Sequence, residues 1–212
     1  MTNFIPIFPL AIVVYPGENV NLHIFEPRYK QLITECYSEG KPFGITPVLK
    51  NGIGEVGTLV EVIDIVNVYG DGKLDVKTKG LEVFRILELM KEVPDRLYSG
   101  AIVNYPENVY DQKGVLLTWV VKNIRTLHNL LKLTKDFVKP DGELLSYDVA
   151  HHAALSVEEE YEVLALFSEA QRLEYLKRHL QKVLPVVTEM ELLKDRIKLN
   201  GHFKNLRSDF NL

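Results

Sequence analysis

The chain lacks an excess of basic residues: 25 Lys and Arg stand against 29 Asp and Glu, giving a formal net charge of -4 and a pI near 5.9. Proteins that neutralise a phosphate backbone show the opposite balance, which argues against nucleic acid as a partner. Cys36 is the only cysteine, so an internal disulfide and a thiolate zinc site built from this chain alone are excluded. A lone cysteine of this kind is expected to pack as a small apolar residue under a helix. No apolar run approaches the roughly 20 residues of a membrane helix. The start, MTNFIPIFPL, has neither a basic flank nor a small-residue cleavage site, and the chain is expected to be cytoplasmic.

Catalytic templates are missing as well. Gly40-Lys41 runs into Pro42 and Gly72-Lys73 into Leu74, so no phosphate-cradling G-x-x-x-x-G-K-[ST] loop is present. The G-x-S-x-G elbow of hydrolases and the H-E-x-x-H zinc helix are also absent. His151 and His152 are adjacent, and neighbours on a helix point about 100° apart, too far round to share one metal. Asp64 follows Glu61 by three positions in a strand pattern, which alternation places on opposite faces. The expectation is a chain with no catalytic residue, no cofactor and no metal site, hence not an enzyme.

What is present is ordinary globular material, 46% hydrophobic and 25% charged over 212 residues, enough for one large domain or two small ones. Two textures meet near residue 105. Before it, apolar residues alternate and Gly and Pro punctuate; after it, they recur at helical spacing. Ile5–Phe8 and Ala11–Tyr15 read as edge or irregular strands, because Pro6, Pro9 and Pro16 cannot donate to a ladder. Phe43–Leu49, Thr58–Tyr69, Lys73–Lys79, Val83–Met90 and Tyr98–Tyr105 read as further strands, with a tight hairpin at Gly70-Asp71-Gly72 and another turn at Gly80. Between the early strands, Pro27 suits a first helical turn, Glu26 can place its carboxylate on the free amides, and Tyr29, Leu32, Ile33 and Cys36 form an apolar stripe ended by Gly40.

In the second half, Val115–Leu133 carries a broad apolar stripe with Trp119 as an anchor to the barrel, and a short helix is expected over Leu144–Ala154. Three S/T-x-x-E/Q boxes follow, at Ser156–Glu159, Ser168–Gln171 and Thr188–Glu191. Pro185 is expected to stop or kink a helix, and Asn200-Gly201 to end the last one. Six glutamates against Arg172 in Leu155–Tyr175, and eight basic residues against three acidic ones in Lys177–Arg207, read as solvated helix faces, or as a basic arm for an acidic partner.

The stretch IPIFPLAIVVYPGENVNLHIFEPRYKQL resembles the start of the LON substrate-binding domain, the N-terminal domain of the ATP-dependent Lon (La) proteases. There a P-L-F-P-L strand, a P-G-E turn and an L-x-I-F-E-P-R-Y segment occur in that order. The similarity continues through PFGI, EVGTLVEVIDI, KGLEVFRI and ALSVEEEYEVLALFSEAQRLEYLKRHL, over most of residues 4 to 185. One departure is Val83, where members often carry arginine before the phenylalanine. The resemblance implies an α+β fold: a PUA-like mixed β-barrel with one inserted helix over residues 1–105, followed by a C-terminal α-helical bundle over 106–212. It also implies a non-catalytic module that binds unfolded or tagged polypeptides or a protein partner, as an accessory in proteolysis or quality control. The AAA+ and protease domains of full-length Lon do not follow in this sequence, so a stand-alone domain is expected. Tyr15, Phe25, Tyr29 and Phe43 are the candidate peptide contacts. A PUA-like RNA-binding protein is the alternative.

Overall fold

The computed structural model describes the backbone of residues 2–110 and 114–208, with side chains for 3–110 and 114–197. The helical part expected over 106–212 therefore lies partly outside the described residues. Seven strands come first: β1 (Thr2–Leu10), β2 (Asn19–Ile24), β3 (Phe43–Leu49), β4 (Gly52–Ile53), β5 (Val56–Val68), β6 (Leu74–Met90) and β7 (Ser99–Asn104). One helix, α1 (Pro27–Glu39), is inserted between β2 and β3. Then follow α2 (Val115–Leu130), α3 (Ser146–Ala150), α4 (Val157–Leu164) and α5 (Glu169–Ser208). The protein is thus a mixed α+β fold.

Among these strands all the pairings are antiparallel except β1 with β3, and they lead from β1 through β7, β6, β5 and β3 back to β1. Residues Ile5, Ile7, Leu59, Phe84, Ala101 and Val103 fill the space inside this curled sheet. The distal halves of β5 and β6 extend past it and are joined by β2, forming a three-stranded extension. Helix α1 lies against this region, packing Tyr29, Leu32, Ile33 and Cys36 onto Phe8, Phe43, Ile45, Val60, Leu74 and Val76. Tyr29 stacks on Phe8 at 3.9 Å between ring centroids. A third cluster joins Val13, Tyr15, Val56 and Val83 to the apolar faces of α2 to α5.

The start and end of α1 follow from its residues. Pro27 occupies the first turn and Gly40, at φ 61°, closes it in the left-handed conformation, with Lys41 N–H on the Cys36 carbonyl and Gly40 N–H on Tyr37, a Schellman arrangement. Glu26 makes no side-chain cap, however. Its carboxylate is taken by Arg28 at 2.8–2.9 Å, because an exposed ion pair two residues away competes with the amides.

Several expected boundaries shift. Pro6 and Pro9 sit inside β1, a strand paired on both edges. The β7 ladder covers Thr2–Ile7 and the β3 ladder Ile7–Leu10, so each proline has one edge without a ladder to which its missing amide can turn. Ala11–Tyr15 is a connector rather than a strand; its apolar residues are explained by Val14 facing the α1 core and Val13 and Tyr15 facing the helical one. Gly80 does not turn the chain: β6 runs through it. Its amide donates to Glu18 O at 2.8 Å and its carbonyl accepts from Gly17 N at 2.9 Å, and a Cβ there would lie 2.4 Å from the Tyr15 carbonyl. Glycine is needed for the close approach of that loop.

In the helical half, the Ser156–Glu159 box caps α4 with both reciprocal bonds. Trp119 packs, half-buried, on the cluster shared with the barrel. The helix expected over Leu144–Ala154 shortens to α3 behind a single 3-10 turn. Helix α5 is continuous through Pro185 and past Thr188 and Asn200-Gly201. Thr188 donates its hydroxyl to Leu184 O at 2.8 Å instead of capping a new helix, a local bond that Ser and Thr make inside helices. No described helix is long and apolar enough to cross a membrane.

Candidate functional site

The end of the three-stranded extension, where β2 passes into α1, gathers the exposed aromatic residues of the LHIFEPRY stretch. Antiparallel register aligns His23 with Asp75 and Asp75 with Asn67, and residues directly opposite share a face. His23 Nδ1 lies 2.6 Å from Asp75 Oδ1, and Asn67 Nδ2 and the Tyr69 hydroxyl donate to Oδ2 at 3.2 and 2.5 Å. Hydrogen bonds from His23, then Tyr69, then Asn67 hold the Asp75 carboxyl down at about 2, and the same bond pushes the Tyr69 phenol up. The His23 ring stands 6.4 Å from Phe25 and 5.9 Å from Tyr69. Phe25 is 59% exposed. A cavity of about 320 Å³ on this face is lined by His23, Val66, Asn67, Asp75 and Lys77 among others.

Val66 reaches this face through a bulge. Between Ile65 and Asn67 the partner strand advances by one residue only, and the same happens between Val62 and Asp64. The extra residues, Val66 and Ile63, fall out of alternation and are exposed. The Ile63 bulge also overturns the expectation for Glu61 and Asp64. They pair with Lys79 and Lys77, which are two apart on β6, so both acids share one face.

The four aromatics singled out from the sequence are not brought together. Phe25 is exposed at the rim, whereas Tyr29 and Phe43 lie beneath it in the core around α1. Burial raises the Tyr29 phenol while Arg28, whose guanidinium sits 4.6 Å over the ring, opposes that rise. Tyr15 belongs to the other cluster. It is 1% exposed, stacks on Tyr147 at 5.1 Å and donates its hydroxyl to Glu160 O at 3.0 Å.

Around Tyr15 the sheet and helices are joined by charge. His151 binds Glu160 of α4 through Nδ1 at 2.7 Å and Glu18 of the β1–β2 connection through Nε2 at 3.2 Å. Burial alone pulls the imidazole down, but the two carboxylates more than reverse it and raise it to about 9. His152 goes the other way, lowered by burial and by His128. Deeper in the helical half, Arg172 and Glu169 have no exposed surface. Arg172 bonds Glu169, Ser146, Asn108 and Leu166 O at 2.7–2.9 Å, and Glu169 also accepts from the Ser146 amide and hydroxyl at 2.7 and 2.6 Å. This pair was read from sequence as solvated helix surface; spacing alone does not say which charge of a glutamate-rich stretch turns inward. Among the described residues, no group of three or more His, Cys, Asp or Glu is placed to hold a metal ion.

The comparisons with known proteins agree with this architecture. A family model described as the ATP-dependent protease La (LON) substrate-binding domain matches residues 5–182. Among solved structures, a Lon N-terminal domain protein from Xanthomonas campestris aligns with a TM-score of 0.62 at 24% identity, over 83% of this chain and 98% of that one. The N-terminal domain of the Mycobacterium avium complex Lon protease aligns with a TM-score of 0.61 at 14% identity, over 84% and 98%. At such identities the structures establish the shared fold. Val83, the position that departs from the usual family arginine, is buried between sheet and helices, where an aliphatic side chain packs without the desolvation penalty of a guanidinium. The family match covers both the sheet and the helices through the first third of α5, and the chain belongs to the Lon protease substrate-binding domain family.

Proposed function

We propose that the domain is a non-catalytic polypeptide-recognition module, an accessory in proteolysis or protein quality control, whose contact surface is the rim where β2 enters α1. Family membership supports recognition of a polypeptide substrate. The observation that carries the choice of surface is the grouping of exposed Phe25, Val66 and Tyr69 around the His23–Asp75 bond. Apolar side chains gathered around a few fixed polar groups suit a peptide that is apolar in part and extended. Phe25 makes the direct contact. Tyr29 and Phe43 support it from below by fixing α1 on the sheet, and Tyr15 acts at a distance by holding sheet and helices together.

The test is fluorescence anisotropy of a labelled unfolded casein titrated with the purified protein, compared with a Phe25→Ser, Tyr69→Ser variant. Loss of two exposed aromatic contacts is expected to weaken binding by about tenfold or more, with only a small change in melting temperature, because both side chains are exposed and Asp75 keeps its bonds to His23 and Asn67 when the Tyr69 hydroxyl is lost. Equal binding by parent and variant would move the surface elsewhere, and no binding by the parent would remove the reading. Casein cleaved by the purified chain alone would contradict the non-catalytic assignment.

A further inference from the structure

The three-stranded extension has two outer edges, and they are not equally guarded. The distal half of β5 carries bulges at Ile63 and Val66, which bend an edge away from new partners. β2 pairs with β6 over six consecutive residues without a register shift, and among the described residues no strand pairs with its far side. Its sequence, NVNLHI, holds no proline, lysine or arginine, so it lacks the devices by which edge strands refuse further pairing. The ladder also fixes which main-chain groups face outward. Gly80 donates to Glu18 O at 2.8 Å, which makes those two a bonded pair; antiparallel alternation then turns Val20, Leu22 and Ile24 toward β6 and the amides and carbonyls of Asn19, Asn21 and His23 away from it. The 2.6 Å contact of His23 with Asp75 agrees, since side chains come closest across an unbonded pair. Granted that the rim recognises polypeptides, on which this depends, we propose that an extended segment of an unfolded polypeptide adds to β2 as a fourth strand, bonded through the main chain of Asn19, Asn21 and His23.

Main-chain bonding accepts almost any side chain, which suits a partner recognised because it is unfolded rather than because of its sequence. Both ends of β2 offer room for the side chains of such a strand. Asn21, Leu22 and His23 border the cavity of about 320 Å³ beside the rim, and Asn19 borders another of about 440 Å³ with Tyr15, Val138 and Lys139. Phe25, exposed one residue past the end of the strand, prolongs the surface with an aromatic ring. The rival occupant is a second copy, with β2 pairing to β2. A six-residue edge falls well short of the roughly 20–30 residues a side that a stable dimer contributes, whereas one added strand of that length is the usual scale of a bound peptide.

Amide hydrogen exchange of the full chain, read residue by residue by NMR with and without saturating unfolded casein, tests this. The Asn19, Asn21 and His23 amides are expected to exchange about tenfold more slowly or better with casein bound, while the Leu22 and Ile24 amides, already bonded to β6, change little. Asn21→Pro deletes one outward amide and leaves the β6 ladder whole, as proline does at an edge, so casein affinity should fall by about tenfold or more. Casein that binds with those three amides unchanged overturns the fourth strand. So does an Asn21→Pro variant that binds like the parent, and if the Phe25→Ser, Tyr69→Ser variant still binds weakly, rim recognition stands without it. Protection of the three amides that rises with protein concentration in the absence of casein gives the edge to a second copy and overturns the proposal. A parent that does not bind casein removes both readings.

Discussion

Replacing His151 by Gln tests whether one partly exposed cation ties the sheet to the helices. In the folded protein the imidazolium lies between Glu160 of α4 and Glu18 of the β1–β2 connection, and its acidity moves from the ordinary 6.5 to about 9. A folded-state value above the unfolded one means that the folded chain binds more protons between the two. The contribution is therefore complete below about 6.5 and is lost as pH rises through about 9. A shift of this size corresponds at face value to about 3 kcal/mol at 1.36 kcal/mol per unit. The His151 side chain is 33% exposed, however, and both acids are partly solvated, so screening reduces the expected effect to about 1–2 kcal/mol.

The assay is urea unfolding of parent and His151→Gln at several values from pH 6 to 9.5, followed by circular dichroism. Taking the difference between the two proteins cancels groups common to both. That matters at the upper end, where burial pushes the Cys36 thiol up to about 12 and adds its own loss of stability once unfolded thiols ionise. The parent is expected to lose about 1–2 kcal/mol relative to the variant across this range, with the largest advantage at the acid end. His152, whose pKa is lowered by burial first and then by His128, with His151 a smaller cause, has the opposite sign and is present in both proteins, so it cancels apart from that smaller part. A difference that stays constant with pH would refute the clamp, and one that grows toward pH 9.5 would reverse its sign.

Two further substitutions address the packing that positions the site. Arg172→Met leaves the Glu169 carboxylate fully buried without its guanidinium and is expected to cost about 3–5 kcal/mol, measured by urea unfolding, with part recovered when Glu169→Leu is added; full stability in the single variant would contradict the burial of the pair. Gly80→Ala drives a Cβ to 2.4 Å from the Tyr15 carbonyl and should cost about 2 kcal/mol, lowering the melting temperature by about 4–8 °C in a calorimetric scan; an unchanged melting temperature would mean that the loop does not approach β6 so closely.

Regular elements were legible in the sequence because one local signal decided each of them. Pro27, Gly40 and a stripe at three and four residue spacing were enough to bound α1, and the Ser156–Glu159 box marked the start of α4. The misread elements depend on what lies across the fold. Gly80 looks like a turn until the Tyr15 carbonyl is placed against it, and Pro6 and Pro9 look like edge residues until the two ladders of β1 are seen to overlap only at Ile7. Pro185 does not stop α5, which continues through it with one amide fewer. The aromatic residues were picked by type, and type does not report burial. Of the four, Phe25 alone faces solvent substantially, because the strand pairing that buries Ile24 turns the next residue outward.

The same irregularities that blur the strand pattern also create the exposed apolar surface. A strand that alternates strictly sends every second residue to water, and natural sequences fill those positions with polar groups, as β2 and β6 do at Asn21, His23, Asp75 and Lys77. A bulge inserts a residue that alternation does not account for. In β5 the inserted residues are Ile63 and Val66, and in β6 the shift opposite β7 inserts Leu87; all three are exposed. Had these strands needed only to cover the core, polar side chains would serve at the inserted positions at no cost to packing. Aliphatic residues there suit the contact proposed for the rim, where Val66 lines the same cavity as His23, Asn67 and Asp75. Substituting Val66 by Thr keeps the branched shape and the strand preference while removing apolar surface. It therefore separates recognition from folding at the site: peptide affinity should fall while the unfolding transition stays in place.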